Sequence, residues 1–289
     1  MEIKRVMVVG FGAMGNGISQ VSAQAGYVVT GMDFDAKAIE RGLKAIDRSV
    51  DKFIEKGILK AKKEEILGRI KTTTDLSLAK EVDIVIEAVF EDLDLKKKIF
   101  RDLDQLCAPR TILASNTSAI PISEISSVTD RPERVVGTHF FFPVPLMRLV
   151  EVIKGISTSN ETIEEMSKFV ESVGKIPVIV KHDVAGFIAN RAFLAMMLEA
   201  MRLYEQGVGT AKDIDQCLKL GYNHPMGPLE VADMSGLDTI FRAVIAIYND
   251  TGRPEFAPPV IFRRMVAAGL YGRKTGKGFY EYTKDGQKK

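Results

Sequence analysis

Three histidines occur in the 289 residues: His139, His182 and His224. An imidazole takes up and returns a proton near neutral pH, so each is a candidate acid–base group. His139 is the best placed. It follows the strand-like run Val135-Val136-Gly137-Thr138 and precedes Phe140-Phe141-Phe142-Pro143. That puts it at a strand's C-terminal end, the edge where open α/β sheets bind ligands. Hydride transfer from an alcohol carbon needs such a partner for the hydroxyl proton. From position alone, a histidine satisfied inside the core fits equally well. Glu151 lies in the next apolar run, Leu149 to Ile153. A carboxylate buried there is costly unless paired. Paired with His139 it orients the ring and favours the imidazolium; on an edge strand it simply faces water.

A second chemical signature stands at the start. Gly10-Phe11-Gly12-Ala13-Met14-Gly15 follows a strand and opens a helix, the context a dinucleotide fingerprint requires. Gly10 permits the tight turn, Gly12 clears room for a pyrophosphate, and Gly15 lets helix and strand pack closely. The helix N-terminus offers amide hydrogens and positive dipole to phosphates. Asp33, at the end of the second strand, can accept from both ribose hydroxyls. Its charge repels a 2′-phosphate, and Phe34 and Asp35 follow it rather than arginine. The expected cofactor is therefore NAD, not NADP.

These groups need a scaffold. Strands are predicted at Val6–Val9, Val28–Asp33, Val82–Ala88, Thr111–Ala114, Val135–Thr138, Leu149–Ile153 and Pro177–Val180, with helices at Ile18–Ala25, Ala36–Lys56 and Leu93–Leu106. Strands without alternation, covered by helices, imply a mostly parallel sheet buried on both faces. The expected fold class is α/β: a Rossmann-type doubly wound sheet, followed by a smaller all-helical domain. The pattern changes near Lys181-His182-Asp183. Beyond it lie helical stretches at Ile188–Gln206, Ala211–Leu220, Gly236–Tyr248 and Val260–Ala268, then a polar tail, Lys284 to Lys289, read as frayed. The boundary predicts an NAD-binding domain over 1–183 and a helical domain over 184–289, the latter contributing to the substrate cleft and to dimerisation.

Bulk properties narrow the partners. The net charge is +2, which does not point to nucleic acid. Cys107 and Cys217 have no metal-type spacing, so neither a disulfide scaffold nor a metal site is expected, and a reducing, cytoplasmic location fits. The start lacks the apolar region of a secretory signal. The stretch Ile188 to Tyr204 carries Arg191, Glu199 and Arg202, too many charges for a membrane span.

The chain resembles the 3-hydroxyacyl-CoA dehydrogenase family, including the 3-hydroxybutyryl-CoA dehydrogenases. The matching stretches are Gly10-Phe-Gly-Ala-Met-Gly-Asn-Gly-Ile18, Glu87-Ala-Val-Phe-Glu-Asp-Leu93, Ser115-Asn-Thr-Ser118, His139-Phe-Phe-Phe-Pro-Val-Pro145, Gly186-Phe-Ile-Ala-Asn-Arg191, His224-Pro-Met-Gly-Pro228 and Gly272-Arg-Lys-Thr-Gly-Lys-Gly-Phe-Tyr280. The resemblance implies that His139 is the catalytic base and Glu151 its charge partner. It makes Ser118 a hydrogen-bond donor to the reacting end and Asn190 a group near the thioester oxygen. Glu91 and Lys96 match positions lining the cofactor site. The implied substrate is an (S)-3-hydroxyacyl-CoA, and the implied assembly is a homodimer through Phe193-Leu194-Met196-Met197-Met201, a stretch apolar on more than one side that equally fits a core helix. Two positions depart: Phe142 stands where the family usually has asparagine, and Ala185 where it usually has proline, which loosens the hinge.

Arg41, Lys44, Arg48, Lys52 and Lys56 recur every three or four residues and form a basic ridge on one helix. By spacing alone this is a solvated face. The resemblance adds that Ser49 and Lys56 match coenzyme A contacts, and Lys52 shares their face. Two other readings stay open: a dehydrogenase of a free hydroxy acid, and a non-catalytic NAD-binding protein.

Overall fold

A computed structural model describes residues 3–289; Met1 and Glu2, which the predicted first domain includes, lie outside them. Two compact units divide between Asp183 and Val184.

The first unit is built from β1 (Arg5–Val9), α1 (Ala13–Gln24), β2 (Val28–Met32), α2 (Ala36–Glu55), α3 (Lys63–Gly68), β3 (Ile70–Thr73), β4 (Ile84–Glu87), α4 (Leu93–Leu106), β5 (Ile112–Ser115), α5 (Ile122–Ser126), β6 (Val135–Phe140), β7 (Leu149–Ile153), α6 (Asn160–Ser172) and β8 (Ile176–Val180). The strands form one sheet in the order β3-β2-β1-β4-β5-β6-β7-β8. The first six follow the doubly wound order of dinucleotide-binding folds. All neighbours run parallel except β6 and β7. Only residues 141–148 join that pair, too short for the crossover that a parallel pair demands.

Central strands are apolar throughout because helices cover both faces: β4, β5 and β6 are buried at every position. Helix starts are held by side chains. Asp35 accepts the Lys37 amide at α2, Asp92 the Leu95 amide at α4, and Ser159 the Thr162 amide at α6. The core runs from Val6, Val8 and Phe11 through Ile84 and Ile86 to Val150, Val152 and Phe169.

Several expectations shift. Helix α1 begins at Ala13, not Ile18, because its glycine-rich first turn carries no apolar period. Strand β6 runs on to Phe140, so His139 lies inside the ladder instead of just past it. Two elements add to those expected: α6, opened by its serine cap, and β3, an edge strand with no apolar run.

The second unit contains α7 (Ala189–Glu205), α8 (Ala211–Gly221), α9 (Pro228–Ser235), α10 (Leu237–Thr251) and α11 (Val260–Ala267). Its core gathers Leu194, Met197, Leu198 and Met201 of α7 with Leu229, Leu237, Val244, Phe262 and Phe279. Leu194, Met197 and Met201, expected to face a partner chain, are therefore buried within their own unit. Phe193 and Met196 remain half-buried. The tail is not frayed. The Thr283 amide donates to Gln287, the Lys289 amide donates to Glu281, and Lys288 pairs with Glu230 at 3.0 Å. Ala185 is tied into the second unit. Its amide, which a proline would lack, donates to Asp250 Oδ2 at 3.2 Å.

Among the described residues no helix is long and apolar enough to cross a membrane, and no cluster of His, Cys, Asp or Glu can hold a metal ion. Both cysteines are free.

Candidate active site

The glycine loop is shaped by what glycine alone permits. Gly10 has φ +93°, and a Cβ there would overlap Ala88 at the end of β4. A Cβ on Gly15 would overlap the Gly10 carbonyl, whereas one on Gly12 would meet nothing within 4 Å. Gly12 is the N-cap of α1 and brings no side chain to the helix end. Ala13 is exposed and Met14 half-buried.

Phe11 plays a different part from its neighbours. Its ring is wholly buried, wedged against Gly31 of β2 and Gly42 of α2, where any Cβ would overlap it. Burying such a ring contributes about 2–3 kcal/mol. Only its backbone serves the loop: the Phe11 amide donates to Asp33 Oδ2 at 2.8 Å. Asp33 Oδ1 accepts the Asp35 amide at 2.9 Å. Two of the carboxylate's roughly four acceptor sites remain for ribose hydroxyls. Open space at Gly12, an uncapped helix N-terminus and this half-satisfied carboxylate fit a bound dinucleotide.

Further along the sheet, beyond β4 and β5, the strands β6 and β7 bring the chemistry together. His139 and Glu151 are direct cross-strand partners. His139 Nδ1 lies 2.8 Å from Glu151 Oε2, with the residues only 6% and 1% exposed. Antiparallel partners hold their Cβ atoms about 5 Å apart on one face, so the pair follows from register. The carboxylate engages Nδ1 and so fixes the orientation of the ring. Phe141 packs on the imidazole, ring centroids 4.4 Å apart.

Ser118 lies just beyond β5. Ser115 pairs with Gly137, two residues before His139, so both groups stand at the sheet's C-terminal edge. Asn116 Oδ1 accepts the Phe140 amide at 2.9 Å and ties the two strand ends. Glu91 organises the Ser118 loop. Its Oε1 accepts the Thr117 hydroxyl at 2.6 Å, the Ser118 amide at 2.8 Å and the Ala119 amide at 3.1 Å. Burial pushes its carboxyl up, but the Lys96 charge and those donors outweigh it, leaving the carboxyl below its ordinary range.

Lys96 is 1% exposed. Its ammonium sits 2.7 and 2.9 Å from the oxygens of Glu87 and 3.4 Å from Glu91. Glu87 also takes the Ser115 hydroxyl at 2.6 Å and the Val89 amide at 2.7 Å. Sequence reasoning assigned Glu87 no role; a carboxylate ending an all-apolar strand was the available signal.

The basic ridge on α2 divides in two. At its start Arg41 pairs with Asp35 and Lys44 with Glu40. At its end Ser49, Lys52 and Lys56 line a groove of about 420 Å³, opposite Pro143, Pro145 and Leu146 of the loop after β6. Among the described residues Lys52 and Lys56 have no acidic partner. Phe142 is 67% exposed and offers no polar side-chain group. Asn190 is the second residue of α7, half-buried, in the other unit from His139.

Residues 5–184 match the model of the 3-hydroxyacyl-CoA dehydrogenase NAD binding domain, and residues 186–282 that of the same family's C-terminal domain. A probable 3-hydroxybutyryl-CoA dehydrogenase of Bacillus subtilis is 44% identical over 283 residues, covering 98% of each chain. The mitochondrial hydroxyacyl-coenzyme A dehydrogenase of Sus scrofa is 41% identical, over 97% of this chain and 91% of that one. The solved (S)-3-hydroxybutyryl-CoA dehydrogenase of Ralstonia eutropha superposes with a TM-score of 0.95 at 42% identity, covering 98% of this chain and 100% of that one. Two family models spanning nearly the whole length, on a doubly wound fold whose glycine loop and Asp33 suit NAD, establish that this chain belongs to the NAD-dependent 3-hydroxyacyl-CoA dehydrogenase family.

Proposed function

We propose that the chain interconverts short-chain (S)-3-hydroxyacyl-CoA and 3-oxoacyl-CoA, 3-hydroxybutyryl-CoA among them. The buried His139–Glu151 pair at the sheet's C-terminal edge carries the proposal. The names of the relatives support the acyl class, and that of the Ralstonia structure supports the stereochemistry.

Gly10, Gly12, Ala13, Met14, Gly15 and the Phe11 backbone hold NAD's pyrophosphate, Asp33 its ribose, and Glu91 the far end of the site; Lys96, expected to line the site, is buried behind it and acts only by fixing Glu87 and Glu91. NAD, when bound, accepts or returns the hydride at C3 of the substrate. His139 Nε2 takes the 3-hydroxyl proton in oxidation and gives it back in reduction. Glu151 stabilises the imidazolium that forms and fixes its tautomer. Ser118 and Asn190 hydrogen-bond the substrate oxygens and so orient C3. Ser49, Lys52 and Lys56 bind coenzyme A, ammonium groups meeting phosphate.

The assembly is a homodimer through the helical unit, formed by surfaces other than the buried Leu194, Met197 and Met201. The location is the cytoplasm, in keeping with two free cysteines. NADH absorbance followed with acetoacetyl-CoA and with free acetoacetate tests the function. Turnover of the thioester alone is expected. Turnover of the free acid alone means a hydroxy-acid dehydrogenase, and turnover of neither means a binding protein.

A further inference from the structure

Lys175, just before β8, has no part in the chemistry above, yet it is only 8% exposed. Its ammonium has no carboxylate partner among the described residues. It donates instead to three backbone carbonyls: Val144 at 2.6 Å, Met147 at 2.8 Å and Pro145 at 3.4 Å. Burial holds its pKa below the usual lysine range, so keeping a cation here is unfavourable in itself. Three converging carbonyls are what three ammonium N–H groups can satisfy, and an apolar side chain here would leave the buried Val144 carbonyl without its lysine partner.

Those carbonyls belong to the 141–148 connection between the strands of His139 and Glu151. Pro143, Pro145 and Leu146 of this loop form the groove wall facing Ser49, Lys52 and Lys56. Val144 points the other way, into the core beside α1. A Cβ on Gly17 would stand 2.8 Å from Val144 Cβ, so the loop sits close on α1 there. The loop is therefore held from behind while its other side faces the groove. The His139–Glu151 pair has its own support in the β6–β7 ladder.

We propose that Lys175 is a positioning residue for coenzyme A recognition, fixing residues 143–147 as the second wall of the groove. This rests on reading that groove as the coenzyme A site. Lys175 touches neither substrate nor cofactor; it acts through the loop.

The test compares acetoacetyl-CoA with the N-acetylcysteamine thioester of acetoacetate, which lacks the nucleotide, at saturating NADH. For Lys175→Met, KM for the CoA ester should rise about tenfold, from the cost of ordering a released loop on binding. Its kcat should change less than about twofold, and KM for the truncated thioester should stay within about twofold. An equal loss on both substrates, as a general weakening of the fold would cause, overturns the proposal, as does no loss on either. Lys175→Gln keeps two donors for the carbonyls. It serves if the methionine variant does not fold, with the same split expected on a smaller scale. If the unmodified protein does not prefer the CoA ester to the truncated one, the groove reading fails and takes this proposal with it. If that preference stands and Lys175→Met shares it unchanged, only the role of Lys175 fails.

Discussion

Replacing Glu151 by glutamine removes one charge and almost no volume, so it isolates the electrostatic contribution of the carboxylate. At 2.8 Å from His139 Nδ1, and with an effective dielectric of about 20, the full imidazolium–carboxylate attraction is about 6 kcal/mol. In oxidation His139 acts as base from its neutral form, which feels little of this attraction. If the proton is about half transferred at the transition state, about 3 kcal/mol of stabilisation is lost, or roughly 150-fold in turnover. The cross-strand ladder at His139 and Glu151 stays intact, so NADH affinity should be unchanged. The assay is kcat for oxidation at saturating 3-hydroxybutyryl-CoA and NAD, read as NADH formation, with NADH binding followed separately by its fluorescence. A fall in kcat below about threefold, against the expected hundredfold range, would show that Glu151 does not stabilise a charge developing on His139. A matching fall in NADH affinity would show that its role is structural.

Three further outcomes are expected. His139→Gln should lower turnover by at least about a hundredfold, in the range of a lost general base, while NADH still binds; unchanged turnover removes His139 from its role. Asp33→Ala should weaken NADH binding about ten- to a hundredfold, because charge-assisted bonds to ribose are lost. It should also narrow the preference over NADPH, both read by fluorescence titration. Glu91 has its carboxyl held below the ordinary 4.5 in the fold. Its stabilising contribution is therefore present above pH 4.5 and lost as pH falls through the lower folded value. The Tm of Glu91→Gln should lie below the parent's at neutral pH, and the two curves should converge in acid. A gap that stays constant with pH refutes the ionic role.

Much of the scaffold is legible in the chain because it is local. Strands of four or five apolar β-branched residues, the glycine loop and the Asp35 and Asp92 caps all lie within short windows of sequence. Strand β3 and helix α6 were not read, for opposite reasons. The first is an edge strand with Lys71 and Thr72 facing out. The second has a clear serine cap but sits between two stronger signals. Phe11 shows the limit of motif reading. Within the fingerprint it looks like a ligand-facing residue, yet its ring is a core wedge because Gly31 and Gly42 leave space for it. Two isolated glycines inside a strand and a helix were the trace of that packing.

The amino-acid sequence by itself determined which groups were available: one well-placed histidine, a carboxylate in an apolar run, a dinucleotide turn with its acid, and a basic helix face. These depend on residue type and on spacing within about two dozen positions, which motif and periodicity report. Only the tertiary structure decided who meets whom. The antiparallel turn of β7 sets Glu151 opposite His139, β4 and α4 bury Glu87 with Lys96, and Lys175 reaches back 28 to 31 residues to hold the groove loop. Such contacts depend on strand order and register, and neither is encoded in any single stretch of chain.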